Sequence, residues 1–270
     1  MASARLTPSS AQLAANAFLA ANDGLRDMQL KRSLVADMTQ SAHETNTAPF
    51  VQSNLFIPIS LGNHYYSTKI LRQVIAEFIS RSNLSVIFLC DRLRFLSYRI
   101  RGEKDVESVN SRIQIQIDQM HRTLANLGLG AQPNAFVTNW SFLEEDDRYD
   151  GLLASLQELV QADPEIRQCL NDHAIAALDR FYGLESADLV DPIELQRQYI
   201  MEETALSLFM TEIRGYNVEV YRRGIGFVDY LYSQRPDALK SLTGASTLKR
   251  KFVAIEHWLG SCGRRETPGK

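Results

Sequence analysis

A chain of 270 residues with 45% hydrophobic content can bury a full-sized core, and its length fits one large domain better than two small ones. A formal net charge of -3 excludes a general positive field, so any nucleic-acid partner must be held by a local basic patch. No apolar run approaches the ~20 residues that span a bilayer, no signal-peptide pattern is present, and Cys90, Cys169 and Cys262 stand in no metal-ligand spacing, so an unexported cytoplasmic protein without a metal is expected.

In chain order, residues 9 to 45 read as one or two surface helices, Leu13, Ala17 and Phe18 and then Leu25, Met28, Leu34, Val35 and Met38 being their apolar positions. An N-terminal helical extension over 1–48 is expected, ahead of a single domain over 49–260. Leu55 to Ile59 is a short apolar run suited to a buried strand, and Ile70, Leu71, Val74, Ile75 and Phe78 then recur with helical spacing. Between them lies Ser60-Leu61-Gly62-Asn63, a tight turn at the place where open α/β sheets bind ligands. Ser60 has a competing reading as a helix N-cap. The lipase-type nucleophile elbow fits badly, because Pro58 stands where its first Gly belongs.

Val86 to Cys90 is a second buried strand, and Asp91 to Lys104, which follows, is the most basic stretch of the chain. Over 108–128, Ile113, Ile115 and Ile117 alternate like a strand, whereas Ile113, Ile117, Met120, Leu124 and Leu127 share a helical stripe; length and the Gln-rich interior favour the helix. Ala135 to Trp140 predicts a third strand. Ser141-Phe142-Leu143-Glu144 has the capping-box pattern and predicts the start of an acidic helical region to about residue 185, with Leu152, Leu156, Leu159, Ile166, Leu170, Ile175 and Leu178 inside.

Asp191-Pro192-Ile193-Glu194 predicts a helix start, and Leu195, Tyr199, Glu203, Leu206 and Met210 share a face of that helix. Gly215 ends it, Asn217 to Tyr221 alternates as a strand, and Phe227, Val228, Tyr230 and Leu231 mark a further helix that Pro236 stops. A last helix is expected from Thr247 to Leu259, with a loose tail over 261–270. Strand-helix alternation without repeats predicts an α/β protein, a Rossmann-like parallel sheet flanked by helices. It lacks a nucleotide-binding glycine loop: neither G-x-G-x-x-G nor a P-loop occurs.

Ser60 with Gly62 and Asn63, Tyr199 and Glu203 in Tyr-Ile-Met-Glu-Glu, and Tyr221 in Val-Tyr-Arg-Arg together resemble the motif set of the tRNA-dependent cyclodipeptide synthases. The similarity runs from about residue 54 to 128 and again from about 195 to 235. It implies an aminoacyltransferase related in fold to class I aminoacyl-tRNA synthetase domains, with two aminoacyl-tRNAs as substrates and no cofactor. Such an enzyme moves one aminoacyl group onto its serine, passes it to a second aminoacyl-tRNA, and closes a diketopiperazine ring. The tRNA ester is already activated, so ATP is not needed.

The resemblance assigns Ser60 as nucleophile, with N–H groups of the Gly62-Asn63 turn facing the carbonyl oxygen. Tyr199 and Glu203, four apart on a helix, receive the substrate ammonium and a proton-relay role, while Glu202 points about 100° away. Asn63 and Tyr221 add hydrogen bonds, and Phe56 and Phe88 are expected to line the first aminoacyl pocket. His64 is expected to be solvated or in the core.

Where many relatives carry a basic helix, Ser108 to Gly128 keeps Arg112, His121 and Arg122 among neutral residues. Arg92, Arg94, Arg99, Arg101 and Arg122, with Lys104, Lys249, Arg250 and Lys251, are therefore the candidates for tRNA contact, a solvated face being the competing reading. Two other functions compete with the synthase: a non-catalytic tRNA-binding relative of class I synthetase domains, and an unrelated serine hydrolase.

Overall fold

The computed structural model describes residues 53–182, 190–222 and 224–255. The helices expected over 9–45, the extension over 1–48, the tail over 261–270 and Cys262 lie outside the described residues. The sheet has five strands, β1 (Asn54–Ile59), β2 (Leu84–Leu89), β3 (Ala135–Asn139), β4 (Val218–Tyr221) and β5 (Lys251–Ala254), in the order β3-β2-β1-β4-β5. Every pairing is parallel, as in a Rossmann-like sheet.

The two strands read from continuous apolar runs are central. From Leu55 to Ile59 and from Ser85 to Leu89 every residue is buried, because helices cover both faces of a parallel sheet. The connection from β1 to β2 is helix α1 (Thr68–Glu77), which buries Leu71, Val74 and Ile75. Its N-cap is Ser67, so Ser60 is not a helix cap; seven residues of turn and loop separate Ser60 from Thr68.

The basic stretch after β2 is helix α2 (Asp91–Ile100), with Leu93, Leu96, Tyr98 and Ile100 inward. Helix α3 (Val106–Asn126) resolves the ambiguous isoleucines. Ile113 and Ile117 are buried and Ile115 is 54% exposed, which a helix requires and a strand would not. Its first turn is capped by Asp105, whose carboxylate accepts the Ser108 N–H.

After β3, the Ser141 pattern does not start a helix. Trp140 to Phe142 is a short 3₁₀ turn, and helix α4 (Asp147–Ala162) begins after Asp146, whose side chain accepts the Arg148 N–H. Helix α5 (Pro164–Tyr182) follows, buried at Ile166, Leu170, Ala174 and Leu178, while Ile175 is turned outward at 44% exposure.

Helix α6 (Val190–Leu208) runs into a π-helical turn, Phe209 to Ile213, and Gly215, at φ +79, then turns the chain toward β4. Helix α7 (Gly226–Gln234) is followed directly by α8 (Pro236–Thr243), where Pro236 opens the second helix as well as ending the first. The helix expected from Thr247 to Leu259 is corrected: Lys251 to Ala254 is the edge strand β5. An ion pair reinforces its parallel pairing with β4. Arg250, 5% exposed, donates from Nε to buried Glu219 of β4 at 2.7 Å and from Nη1 to Asp229 at 3.1 Å. That arrangement takes Arg250 out of the tRNA candidates.

Candidate active site

The strand order reverses between β1 and β4, since β2 and β3 extend one way from β1 while β4 and β5 extend the other. Beyond the carboxyl ends of strands at such a point lies the ligand crevice of an open α/β sheet. The β1–β4 ladder pairs Leu55 with Val218 and Phe56 with Glu219 and stops there. Pro58, further along β1, has no N–H to continue it. Its carbonyl instead accepts the buried Tyr66 hydroxyl at 3.0 Å. The strands thus part below Ser60.

Ser60 leaves the end of β1, and Tyr221 is the last residue of β4. Their hydroxyl oxygens are 2.7 Å apart, and Tyr221 donates to Glu203 Oε1 at 3.3 Å. A phenol has one proton; with that proton given to Glu203, the Ser60 hydroxyl is the donor to Tyr221. Burial, reinforced by the Glu203 charge, holds the Tyr221 phenol well above its usual range, so it stays a donor.

The turn is shaped by Asn63. Its N–H bonds to the Ser60 carbonyl at 3.2 Å, and its side-chain oxygen accepts the Tyr65 N–H at 3.0 Å. The Asn63 amide is therefore committed, contrary to the expectation that it would face a substrate carbonyl. Gly62 has φ +69, and a Cβ there would lie 2.6 Å from Arg94 Nη2. The backbone conformation calls for glycine, whereas the Arg94 guanidinium, the end of a flexible side chain, can yield to a Cβ.

Ser60, Gly62, Asn63, Tyr199, Glu203 and Tyr221 line one cleft of about 690 Å³, at the junction of β1, β4, α2, α5, α6 and α7. Its apolar wall includes Leu93, Ala176, Ala177, Ile200 and Phe227, and Cys90 and His64 also reach it. His64 is exposed. Burial, then the Glu203 charge, raises the Cys90 thiol well above its normal range, which suppresses thiolate chemistry there. Among the described residues no group of three or more His, Cys, Asp or Glu is placed to hold a metal ion, and no helix is long and apolar enough to cross a membrane.

Phe56 and Phe88 do not line this cleft. Both are at most 1% exposed, edge to face at 6.2 Å, with Phe88 packed on Trp140. Glu202 is more than an off-face neighbour of Glu203. It is 2% exposed and receives Arg92 Nε at 2.6 Å, Arg92 Nη2 at 2.9 Å and Gln198 Nε2 at 2.8 Å, tying α2 to α6.

The basic candidates divide accordingly. Arg92 is spent on Glu202; Arg99 donates to the Glu103 and Lys104 carbonyls at 3.1 Å; Arg122 lies along exposed α3, bonded to the Asp118 carbonyl. Arg94 and Arg101 line the cleft. Sequence reasoning missed Arg180, which lines it too from the acidic region and sits over Phe181 at 5.4 Å. Arg222 joins them, its guanidinium 4.8 Å from the Tyr65 ring centre.

No protein-family model and no curated protein matches the sequence. Solved structures do match in shape. A cyclodipeptide synthase from Fluoribacter dumoffii is similar at TM-score 0.62 and 16% identity, over 75% of this chain and 89% of that one. AlbC, a cyclodipeptide synthase from Streptomyces noursei, matches at TM-score 0.58 and 14% identity, over 77% of this chain and 99% of its own. The fold is that of the cyclodipeptide synthases. A Mycobacterium tuberculosis protein, described as demonstrating that cyclodipeptide synthetases are related to type I tRNA synthetases, matches at TM-score 0.57 and 18% identity, over 74% of this chain and 82% of its own. The shared fold accounts for a Rossmann-like parallel sheet with its strand order reversed between β1 and β4.

Proposed function

We propose that this protein is a tRNA-dependent cyclodipeptide synthase acting through an aminoacyl ester on Ser60. The observation that carries the reading is the chain Ser60 hydroxyl, Tyr221 hydroxyl, Glu203 carboxylate at the strand reversal of this fold. As Ser60 Oγ bonds to the ester carbonyl of an aminoacyl-tRNA, its proton passes to Tyr221 and the Tyr221 proton to Glu203. The ribose oxygen leaves with the bonding pair and takes up the proton that has reached Glu203, which restores the carboxylate. One ester replaces another, so no nucleotide is consumed.

Tyr199 stands one turn before Glu203, so the pair offers the substrate ammonium a carboxylate and a phenol oxygen on one helical face. When the second aminoacyl amine attacks the Ser60 ester, the proton lost by that amine has Glu203 as its acceptor, and Ser60 recovers its own through Tyr221. With the Asn63 amide closing the turn, the Leu61 and Gly62 amides are the ones assigned to the carbonyl oxygen. Arg94, Arg101, Arg180 and Arg222 around the cleft are assigned to the tRNA end, and exposed Phe181 offers a ring for a base to stack on.

The test is incubation with a full pool of charged tRNAs followed by mass analysis. A cyclic dipeptide that requires charged tRNA supports the reading. tRNA binding without product returns the chain to a non-catalytic tRNA-binding role, and turnover of simple esters without tRNA dependence returns it to a hydrolase.

A further inference from the structure

Gln196 is among the polar groups of the cleft that this chemistry leaves unused. Gln196 lies on α6 three residues before Tyr199 and seven before Glu203, on the same helical face and about 10 Å along the axis from Glu203. It lines the cleft and is 5% exposed, and its side-chain oxygen, shielded from solvent, has no hydrogen-bond partner. A buried amide oxygen left unpaired is costly, and native proteins supply it a donor. Gln198, two residues on, points elsewhere and is satisfied by Glu202. The last torsion of a glutamine is broad and two-fold, so the amide turns its acceptor to the cleft at little cost.

We infer that Gln196 is a specificity-determining residue, selecting an aminoacyl group whose side chain donates a hydrogen bond, a hydroxyl or an amide, over its apolar isostere. This rests on the aminoacyl-transfer reading of the cleft and names the substrate class for it. Beside the apolar lining residues Leu93, Ile200, Ala176, Ala177 and Phe227, a carboxamide discriminates between polar and apolar side chains of the same shape. With Tyr199 and Glu203 holding the ammonium, a partner several ångströms along the helix suits a long side chain better than a short one.

The experiment uses amino-acid amides, which bind without charging a tRNA and do not acylate Ser60. Calorimetric titration of the intact protein compares tyrosinamide with phenylalaninamide, glutaminamide with methioninamide, and threoninamide with valinamide. In at least one pair the donor-bearing member should bind about tenfold or more tightly. Gln196→Leu should erase that preference, with Gln196→Met as a second variant should the branched side chain disturb α6. Equal affinities in every pair, absence of binding by all six, or a preference that survives both variants would overturn the proposal. Cyclic-dipeptide formation is scored separately. Failure to form product with the donor preference intact would sink the synthase reading and leave Gln196 as a selector; product made only from apolar amino acids would do the reverse.

Discussion

Tyr221→Phe removes one oxygen and leaves the ring, which makes it the sharpest probe of the proposed relay. The hydroxyl holds Ser60 at 2.7 Å and Glu203 at 3.3 Å, one bond neutral and one to a charged group. Their loss is worth about 1 and about 1.5–3 kcal/mol respectively, so Ser60 acylation should slow by roughly 10²–10³-fold. Stability should barely change. Ser60 and Glu203 are only half-buried and can rehydrate, and the fold is relieved of a desolvated phenol, so the melting temperature should stay within about 4 °C. The assay is single-turnover formation of aminoacyl-protein by intact mass, with melts alongside. An unchanged acylation rate would refute the relay; a large fall in melting temperature would show that Tyr221 is mainly a packing residue.

Glu203→Gln should cost roughly tenfold to a hundredfold in product while melting normally, whereas Glu202→Gln should lose one strong bond to Arg92 and lower the melting temperature by about 3–12 °C; the opposite pattern would exchange their roles. Arg101→Glu with Arg180→Glu should raise the KM for aminoacyl-tRNA and reduce the salt slope of binding by about 1 for each phosphate no longer neutralised, while Arg99→Glu should chiefly loosen the end of α2; equal salt slopes for wild type and the cleft pair would remove those residues from the tRNA surface. Burial raises the Asp91 carboxyl from 3.8 to about 6, against the opposing Trp140 N–H bond, so the folded state favours the neutral acid. That contribution is present below about pH 4 and lost as pH rises through about 6, so Asp91→Asn should gain stability relative to wild type over this window. A pH-independent difference in melting temperature would contradict it.

The central strands were legible because parallel strands buried on both faces are unbroken apolar runs, and Ser60 stands out as the residue after one of them. The Tyr199–Glu203 spacing was equally readable, since helical neighbours need only four positions of sequence. What was hidden lies across the sheet. Nothing local shows that Glu202 takes Arg92 from 110 residues away, or that Arg180 turns from an acidic helix to the rim of the cleft. Phe88 stands near the end of its strand, which suggests the pocket, while Phe56 sits in the middle of β1, and both are turned into the core. The edge strand β5 reads as a helix because Leu248, Phe252, Ile255 and Leu259 recur at helical intervals. The apolar run Phe252 to Ile255 is too short to decide between strand and helix, and what settles it is the pairing with β4 together with the buried Arg250–Glu219 pair.

The most direct test of the account is intact-mass analysis of the protein mixed with its preferred aminoacyl-tRNA, beside Ser60→Ala. The wild type should gain the mass of one aminoacyl group, lost again as cyclic dipeptide appears, and Ser60→Ala should gain none at an unchanged melting temperature. An undiminished adduct on Ser60→Ala, or cyclic dipeptide from that variant at the wild-type rate, would contradict a covalent intermediate on Ser60.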